Sequence, residues 1–282
     1  MSHLRLALLT TTAILAFAAN SLLCREALAG GHIDAATFTL VRLIAGAVML
    51  ALLLLGKFRR FTMGGSWIAA SSLFGYAAAF SFAYISLSAG TGALILFGAV
   101  QATMISYGLW TGERLSSQKV FGASLAFAGL VWLMLPGIEA PPLFAALTMF
   151  AAGVFWGLYS LLGKQAIEPT IATAGNFIRA IPFAIILFWL MADAEHTSLL
   201  GLVYAVASGA LASGLGYALW YAVLPALPAT NAATIQLSVP VLAALGGVLF
   251  LDEQLTLRFI LASILVLGGI TLFIKSRHQS TK

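Results

Sequence analysis

Two long stretches of the chain contain no Asp, Glu, Lys or Arg, from Phe61 to Gly112 and from Thr197 to Leu251. The whole chain of 282 residues is 61% hydrophobic and only 8% charged, whereas soluble domains are nearer to half apolar and a quarter charged. A soluble protein of this size could not bury so much apolar surface. We therefore predict that the chain is embedded in a lipid bilayer.

Ten apolar stretches are long enough to cross a bilayer as helices, which takes about 20 residues each. Within the uncharged stretches, the turn residues Ser88-Ala89-Gly90 and the pair Pro225 and Pro228 mark the breaks between helices. We therefore predict an all-α integral membrane protein with ten transmembrane helices. The predicted spans are Leu4–Cys24, Ala35–Leu55, Ser66–Ser86, Gly90–Trp110, Lys119–Leu135, Leu143–Gly163, Ile171–Met191, Leu199–Tyr221, Ala229–Leu251 and Leu257–Ile274.

The positions of Lys and Arg indicate the orientation of these spans. If the N-terminus is cytoplasmic, only Arg25 and Arg258 lie in outer segments. The inner segments then hold Arg5, Lys57, Arg59, Arg60, Arg114, Lys119, Lys164, Lys275, Arg277 and Lys282. Short cytoplasmic loops are the ones that carry excess positive charge. We therefore predict a multi-pass protein of the inner (plasma) membrane with both termini in the cytoplasm.

The second half of the chain repeats the first. Asn20–Ala27 (NSLLCREA) returns as Tyr159–Ala166 (YSLLGKQA), and Glu113–Ser116 (ERLS) returns as Glu253–Thr256 (EQLT). Because each half holds five spans, an odd number, the second half must enter the membrane upside down. We predict two inverted five-helix repeats, residues 1–138 and 139–282, which is typical of transporters that work by alternating access.

This organisation resembles the EamA family of the drug/metabolite transporter (DMT) superfamily. The resemblance rests on ten spans in two inverted halves and on the glutamates after the fourth and ninth spans, Glu113 and Glu253. Within the family, the chain is most similar to the YddG-like exporters of aromatic and other amino acids. The resemblance implies secondary transport through a central cavity among spans one to four and six to nine, with spans five and ten outside it.

Aromatic side chains are candidates for the wall of such a cavity. Walls of this kind, with few fixed donors, predict broad specificity and weak binding. Tyr and Trp near span ends also form interfacial belts, and both interpretations are open for this set. The aromatic candidates are Tyr76, Phe80 and Tyr84 on span three, Trp156 and Tyr159 on span six, and Tyr217 on span eight. Ser160, next to Tyr159, adds a hydroxyl to the same set.

Polar side chains on spans four and nine are further candidates. Gln101 lies in the middle of span four, and Asn231, Thr234 and Ser238 form a stripe on span nine with spacings of three and four. Buried amides need partners, so they fit two roles equally well: bonding between helices, or holding the amino and carboxylate groups of a zwitterion.

Arg42 and Arg179 are the only charges well inside predicted spans, and each follows a polar residue three positions earlier, Thr39 or Asn176. Either arginine could bind a carboxylate, but their symmetric placement at opposite depths favours a structural or gating role. Pro182 and Pro240 lie inside spans, where each invites a kink. To the same gating or structural group we assign Asn20, Lys164, Pro182, Pro240, Glu113 and Glu253.

The energy source follows from what the spans lack. The nine acidic residues lie at or beyond predicted span ends, and the sequence has no P-loop. We therefore predict a facilitator that exports neutral and aromatic amino acids and related small metabolites along the substrate gradient. Proton coupling through Glu113 or Glu253 stays open.

Two further interpretations stay open beside amino-acid export. One is export of another metabolite or drug, such as a nucleoside or purine, with proton coupling. The other, an intramembrane enzyme, is disfavoured because the spans show no catalytic set or metal ligands. The single cysteine, Cys24, excludes an internal disulfide. The expected partners are a small-molecule substrate and the lipid bilayer. We expect no cofactor, no metal and no nucleic acid. The protein is expected to be either a monomer or a homodimer.

Overall fold

A computed structural model describes residues 2–58, 63–112, 116–137, 139–163, 166–193, 197–227 and 235–275. This part of the chain is helical and contains no strand. The helices are α1 (His3–Ala29), α2 (Ala35–Phe58), α3 (Trp67–Tyr84), α4 (Ala89–Trp110), α5 (Ser117–Met134), α6 (Leu143–Gly163), α7 (Pro169–Met191), α8 (Leu199–Ala226), α9 (Ser238–Phe250) and α10 (Leu257–Lys275).

Eight helices of the described chain are long and apolar enough to cross a membrane, namely all except α3 and α9. The predicted all-helical membrane fold is therefore confirmed. Helix α3 has 18 residues and α9 has 13, and they occupy the positions of the predicted third and ninth spans. Residues 228–234, which the sequence assigns to the start of span nine, lie outside the described residues, so the count of ten spans stays a prediction.

Side-chain caps begin several of the helices. The hydroxyls of Ser66, Ser88, Ser116 and Ser198 each accept a hydrogen bond from the backbone N–H three residues later. Asp34 does the same for α2 through its Oδ1, which accepts from the N–H groups of the residues at 36 and 37. Such bonds satisfy the free donors of a first helical turn. The predicted break at Ser88-Ala89-Gly90 is thus present as a capped helix start.

A turn at Leu237 interrupts the ninth predicted span. Ile235 and Gln236 are helical, Leu237 is a turn, and α9 starts again at Ser238. Pro240 therefore lies in the first turn of α9, where its missing N–H does not remove a helical hydrogen bond. Pro182 differs, because α7 continues as a helix on both sides of it.

Helix α8 changes its winding midway. It is α-helical over Leu199–Val206, π-helical over Ala207–Leu215 and α-helical again over Gly216–Val223. In a π-helix the hydrogen bonds join residues five apart, and such segments are rare and frequent at functional sites. This segment was not predicted from the sequence.

The π-helical segment lies against α2. A Cβ added at Gly209 would lie 2.2 Å from the carbonyl oxygen of Arg42, so the two backbones approach more closely than any other residue allows. Gly214 packs in the same way beside Gly46 and Met49, with contacts of 3.1–3.2 Å to an added Cβ. The two glycines are five residues apart, so π geometry puts both on the face that meets α2.

The major contacts join the two halves of the chain. Helix α3 packs on α6 and α7, while α8 packs on α1 and α2. In the same way, α4 packs on α6 and α9 packs on α1. Each of these contacts has an equivalent in which every helix is replaced by its counterpart five positions along the chain. The core therefore lies between the halves, among α1 to α4 and α6 to α9.

Helices α5 and α10 pack chiefly against each other and meet the remaining bundle mainly through α4. Their contact is close because it is built on glycine. A Cβ at Gly122 would lie 2.6 Å from the carbonyl oxygen of Gly269, and a Cβ at Gly269 would lie 2.5 Å from the backbone nitrogen of Ala126. Small residues let helix backbones pack at such distances in a membrane.

We predict that Gly269→Ala destabilises the protein while the neighbouring Gly268→Ala does not. The added methyl at 269 meets backbone atoms that cannot move aside, whereas an added Cβ at Gly268 has nothing within 4 Å. Overpacking of this kind costs about 1–3 kcal/mol. The measurement is the thermal unfolding midpoint of both variants in detergent. Equal midpoints would contradict the close α5–α10 contact.

Candidate functional site

Arg42 of α2 is buried in the centre of the bundle, with 1% of its surface exposed. Its Nη2 donates a hydrogen bond of 2.9 Å to the Tyr76 hydroxyl, and its Nε donates one of 3.4 Å to the Ser213 hydroxyl. Its Nη1 has no hydrogen-bond partner in the described part of the chain. The guanidinium carbon also lies 5.1 Å from the ring centre of Tyr76 and 4.9 Å from that of Phe80, which is within range of a cation–π interaction.

The Tyr76 hydroxyl joins α3 to α1 and α2, and its two partners reach α8. It accepts from Arg42 and also from Asn20 Nδ2 of α1, at 3.3 Å. Asn20 Oδ1 in turn accepts a hydrogen bond of 2.6 Å from the Ser208 hydroxyl of α8. We call Asn20, Arg42, Tyr76, Ser208 and Ser213 the Tyr76 network. Its members are all buried, so each of these hydrogen bonds is made away from water and each is costly to leave unmade.

Asn20, Arg42 and Tyr76 are residues for which the sequence predicts a functional or structural role. Ser208 and Ser213 were not predicted. In an α-helix, residues five apart are about 140° apart around the axis, so the two serines would face different neighbours. In the π-helical segment, where hydrogen bonds join residues five apart, the two serines lie on nearly the same face and both contact the network. The available signal is the repeated Ala-Ser-Gly at 207–209 and 212–214.

Aromatic rings from α3, α6 and α8 converge beside the network. The ring of Trp156 lies 4.8 Å from that of Tyr76, 5.0 Å from that of Tyr217 and 5.4 Å from that of Tyr159. The predicted stripe on α3 continues from Tyr76 to Phe80 at 5.3 Å. These separations are those of favourable ring contacts. Trp156 is half-buried, so part of its ring is accessible.

Two further aromatic residues belong to this cluster but were not predicted. Phe17 of α1 lies 5.8 Å from the ring of Tyr217 and 6.0 Å from that of Trp220. Phe177 of α7 lies 6.0 Å from the ring of Tyr217 on another side. Neither has another aromatic residue three or four positions away in the sequence, so no local pattern distinguishes them from packing residues. We call Phe17, Tyr76, Trp156, Phe177 and Tyr217 the aromatic cluster.

Other predicted site residues have local partners. The Tyr84 hydroxyl donates to the carbonyl of Ala89 at 3.1 Å, which ties the turn between α3 and α4. The Tyr159 hydroxyl donates to Thr173 at 3.4 Å. Ser160 donates to the carbonyl of Trp156 on its own helix, and Ser238 donates to the carbonyl of Ile235, which precedes the turn at Leu237.

Five other predicted positions remain to be placed. Gln101 lies half-buried on α4. Asn231, Thr234, Lys164 and Glu113 lie outside the residues that the structure describes.

Arg179 differs from Arg42 in what it binds. Its Nη1 donates to the backbone carbonyls of Gly64 and Gly175, and the neighbouring Asn176 accepts a hydrogen bond of 2.9 Å from the N–H of Ser66. Arg179 therefore fastens the segment before α3 to α7. Arg42, by contrast, bonds only to side chains, so the expected equivalence of the two arginines does not extend to their contacts.

Glu253, just beyond α9, connects four helix ends. Its two carboxylate oxygens accept from the N–H of Ala89 at 2.9 and 3.0 Å, and Oε1 also accepts from Arg25 Nε at 3.2 Å. Arg25 Nη1 in turn donates to the carbonyls of Tyr84 and Ile85. We call Arg25, Ala89 and Glu253 the Glu253 cluster. Burial raises the pKa of Glu253, although the N–H of Ala89 and the charge of Arg25 act in the opposite direction.

The described residues contain no group of three or more His, Cys, Asp or Glu that could hold a metal ion. What they bring together is a buried cation, a set of hydroxyl and amide groups and a cluster of aromatic rings. Such a site is suited to binding a small molecule that has both an anionic and an apolar part.

Comparisons with known proteins identify transporters. Residues 143–275 match the EamA-like transporter family. The chain is 53% identical to an uncharacterized protein of Pseudomonas aeruginosa over 98% of its own length and 97% of that protein. It is 35% identical to the threonine/homoserine exporter RhtA of Salmonella typhimurium over 55% of each chain. A "Probable amino-acid metabolite efflux pump" of Escherichia coli is 26% identical over 70% of this chain and 74% of that one.

We predict that Tyr76→Phe lowers stability, because the substitution leaves donors of Arg42 and Asn20 unpaired in the interior. Each buried polar group left without a partner costs about 1–3 kcal/mol. Tyr107→Phe is the control, since that side chain is 45% exposed. The measurement is the thermal unfolding midpoint in detergent. A Tyr76→Phe midpoint equal to that of Tyr107→Phe would show that the network does not hold the helices together.

Proposed function

Because the chain belongs to the EamA family of the drug/metabolite transporter superfamily, we propose that it exports neutral and aromatic amino acids and related small metabolites by alternating access. The family and the named relatives are transporters, so the protein is not an enzyme. The observation that carries the proposal is the Tyr76 network beside the aromatic cluster. This combination offers a charged anchor and an apolar wall to the same small molecule.

The topology that we propose has ten spans in two inverted repeats with both termini in the cytoplasm. The contact of α3 with α6 is equivalent to that of α8 with α1, which supports two structural repeats. The family match over residues 143–275 falls within the proposed second repeat. Inverted repeats place the substrate site at their interface, and the Tyr76 network is built from α1, α2, α3 and α8, which belong to both halves.

Alternating access requires an end of the molecule that opens and closes. The Glu253 cluster holds the adjoining ends of α1, α3, α4 and α9 together, and the proposed orientation places it on the outer side. We therefore propose that this cluster closes the outer end in the present conformation. Its repeat counterpart, Glu113, lies outside the described residues.

The described spans support facilitated export in one further respect. Of the charges in these helices, the one at the centre is the cation Arg42, and it has no acidic residue beside it to relay a proton. A cationic drug would bind poorly beside this charge. Amino acids, whose carboxylate is anionic, fit the site better than cations do.

Proton coupling is the second candidate mechanism, and one observation favours it. Burial raises the pKa of Glu253, so the closed end binds a proton more tightly than the same carboxyl would in water. Acidification would therefore favour closure of that end, and a rise in pH would favour opening.

The purified protein in liposomes tests the proposal. We expect counterflow of radiolabelled phenylalanine and threonine driven by their own gradients, above that of protein-free liposomes and unchanged by a pH gradient. Adenosine serves as the alternative substrate. Transport that strictly requires a pH gradient would replace facilitation with proton coupling, and transport of adenosine without either amino acid would contradict the proposed substrate class.

We predict that Glu253→Ala opens the outer end. The substitution leaves the N–H of Ala89 without its acceptor, and loss of a helix cap costs about 1 kcal/mol, which is about a fivefold change in the open population. The reporter is native Cys24, the only cysteine of the chain, which is buried beside Arg25. A maleimide reagent that cannot cross membranes should label it about five times faster in the variant.

Two controls accompany this labelling. Glu253→Gln keeps an oxygen that can accept from the N–H of Ala89, so we expect a rate near that of the unmodified protein. Asp252→Asn removes the charge of the neighbouring exposed carboxylate, keeps a side chain that tolerates the positive φ of 51° at this position, and should change nothing. A rate in Glu253→Ala equal to these controls would mean that the Glu253 cluster does not close the outer end.

A further inference from the structure

No anionic side chain pairs with the charge of Arg42 among the residues that the structure describes. Among the described residues, the ion pair between an arginine and a carboxylate is that of Arg25 with Glu253, and the acidic residues of the whole sequence lie at or beyond the predicted span ends. Charged side chains at membrane depth are expensive and usually pair with one another. Two neutral hydroxyls, those of Tyr76 and Ser213, and two aromatic faces surround the guanidinium instead.

The hydrogen bonding of Arg42 is also incomplete. Its Nη1 is buried and donates to nothing, although a buried donor without a partner costs free energy. The other nitrogens are fixed, Nη2 by Tyr76 and Nε by Ser213. The guanidinium is therefore held in one position with donor capacity left over, which is the arrangement that a carboxylate would complete with charge-assisted bonds.

From these contacts we propose that Arg42 binds the carboxylate of the transported molecule. This inference rests on the proposed function and narrows its substrate class to compounds with a free carboxylate and an apolar or aromatic side chain. The side chain of the transported molecule lies against the aromatic cluster, because Tyr76 contacts both Arg42 and the half-buried Trp156. A free carboxylate becomes the feature that the site selects, while the aromatic wall tolerates many side chains.

Access to Arg42 requires a change of conformation, since its surface is 1% exposed here. Two of the side chains that cover it, Tyr76 and Phe80, belong to α3, and Ser213 belongs to the π-helical segment of α8. These are equivalent helices of the two proposed repeats. Movement of α3 and α8 during alternating access would therefore uncover Arg42 and let a carboxylate replace the hydroxyls that now share its charge.

The test is competition in liposomes, with radiolabelled phenylalanine as the tracer. The unlabelled competitors are phenylalanine, phenylalaninamide, phenethylamine and 3-phenylpropionate, which keep the ring and vary the carboxylate and the amino group. We expect phenylalaninamide and phenethylamine to compete at least about tenfold more weakly than phenylalanine, because they lack the charge-assisted bonds. Phenylalaninamide that competes as well as phenylalanine would overturn the proposal without any variant.

Two variants separate binding from folding. Arg42→Gln should transport phenylalanine poorly and lose the distinction between phenylalanine and its amide, whereas Arg42→Lys, which keeps the charge, should restore part of it. Arg179→Gln is the matched control, because that arginine bonds to backbone carbonyls; it should lower the unfolding midpoint but keep the carboxylate preference. A folded Arg42→Gln that keeps the preference would also overturn the proposal.

A thermal-shift measurement covers the case in which no amino acid is transported, which would contradict the proposed function. We expect phenylalanine and 3-phenylpropionate to raise the unfolding midpoint of the unmodified protein, and phenylalaninamide not to do so. If carboxylates stabilise the protein but amino acids are not carried, Arg42 binds carboxylates of another class. If neither carboxylate shifts the midpoint more than the amide does, the assignment of Arg42 is wrong.

Discussion

An arginine buried at the centre of a helical bundle has to be stabilised by whatever surrounds it. In this protein the surroundings are neutral: the hydroxyls of Tyr76 and Ser213 and the faces of two rings. The contacts of Arg42 with these groups hold α2 against α3 and α8. Asn20 adds α1, because it donates to the same tyrosine hydroxyl. The interface between the two halves is therefore organised around one charge that is satisfied only in part.

The contacts at the proposed outer end of the bundle differ in chemistry from those at its centre. At the proposed outer end, Glu253 and Arg25 form a charged contact that also caps α4. At the centre, the bonds run from a cation to neutral hydroxyls. A charged contact that water can reach breaks and re-forms with little net cost, whereas the buried bonds must be exchanged for others of equal quality. In the proposed mechanism, the carboxylate of the substrate replaces the hydroxyls as the partner of Arg42.

Sequence reasoning went far where periodicity governs the structure. The apolar stretches predicted the helices, and spacing by four placed Tyr76 and Phe80 on one face of α3. It failed where contacts depend on how helices cross. Nothing local to Arg42 and Arg179 distinguishes an arginine among aromatic rings from one that binds carbonyls, because the difference comes from the helices packed against them. Phe17 and Phe177 were missed for the same reason.

The winding of α8 carries a consequence for length variation. Ser208 and Ser213 meet the Tyr76 network together because the π-helical hydrogen bonds there join residues five apart. Loss of a single residue would let the segment return to ordinary α-helical winding and still leave it apolar enough to cross the bilayer. If the lost residue lies between the two serines, they become four apart, and α-helical winding also places residues four apart on one face. A relative shorter by one residue at this point would therefore keep both hydroxyls on the Tyr76 network without any π-helical turn.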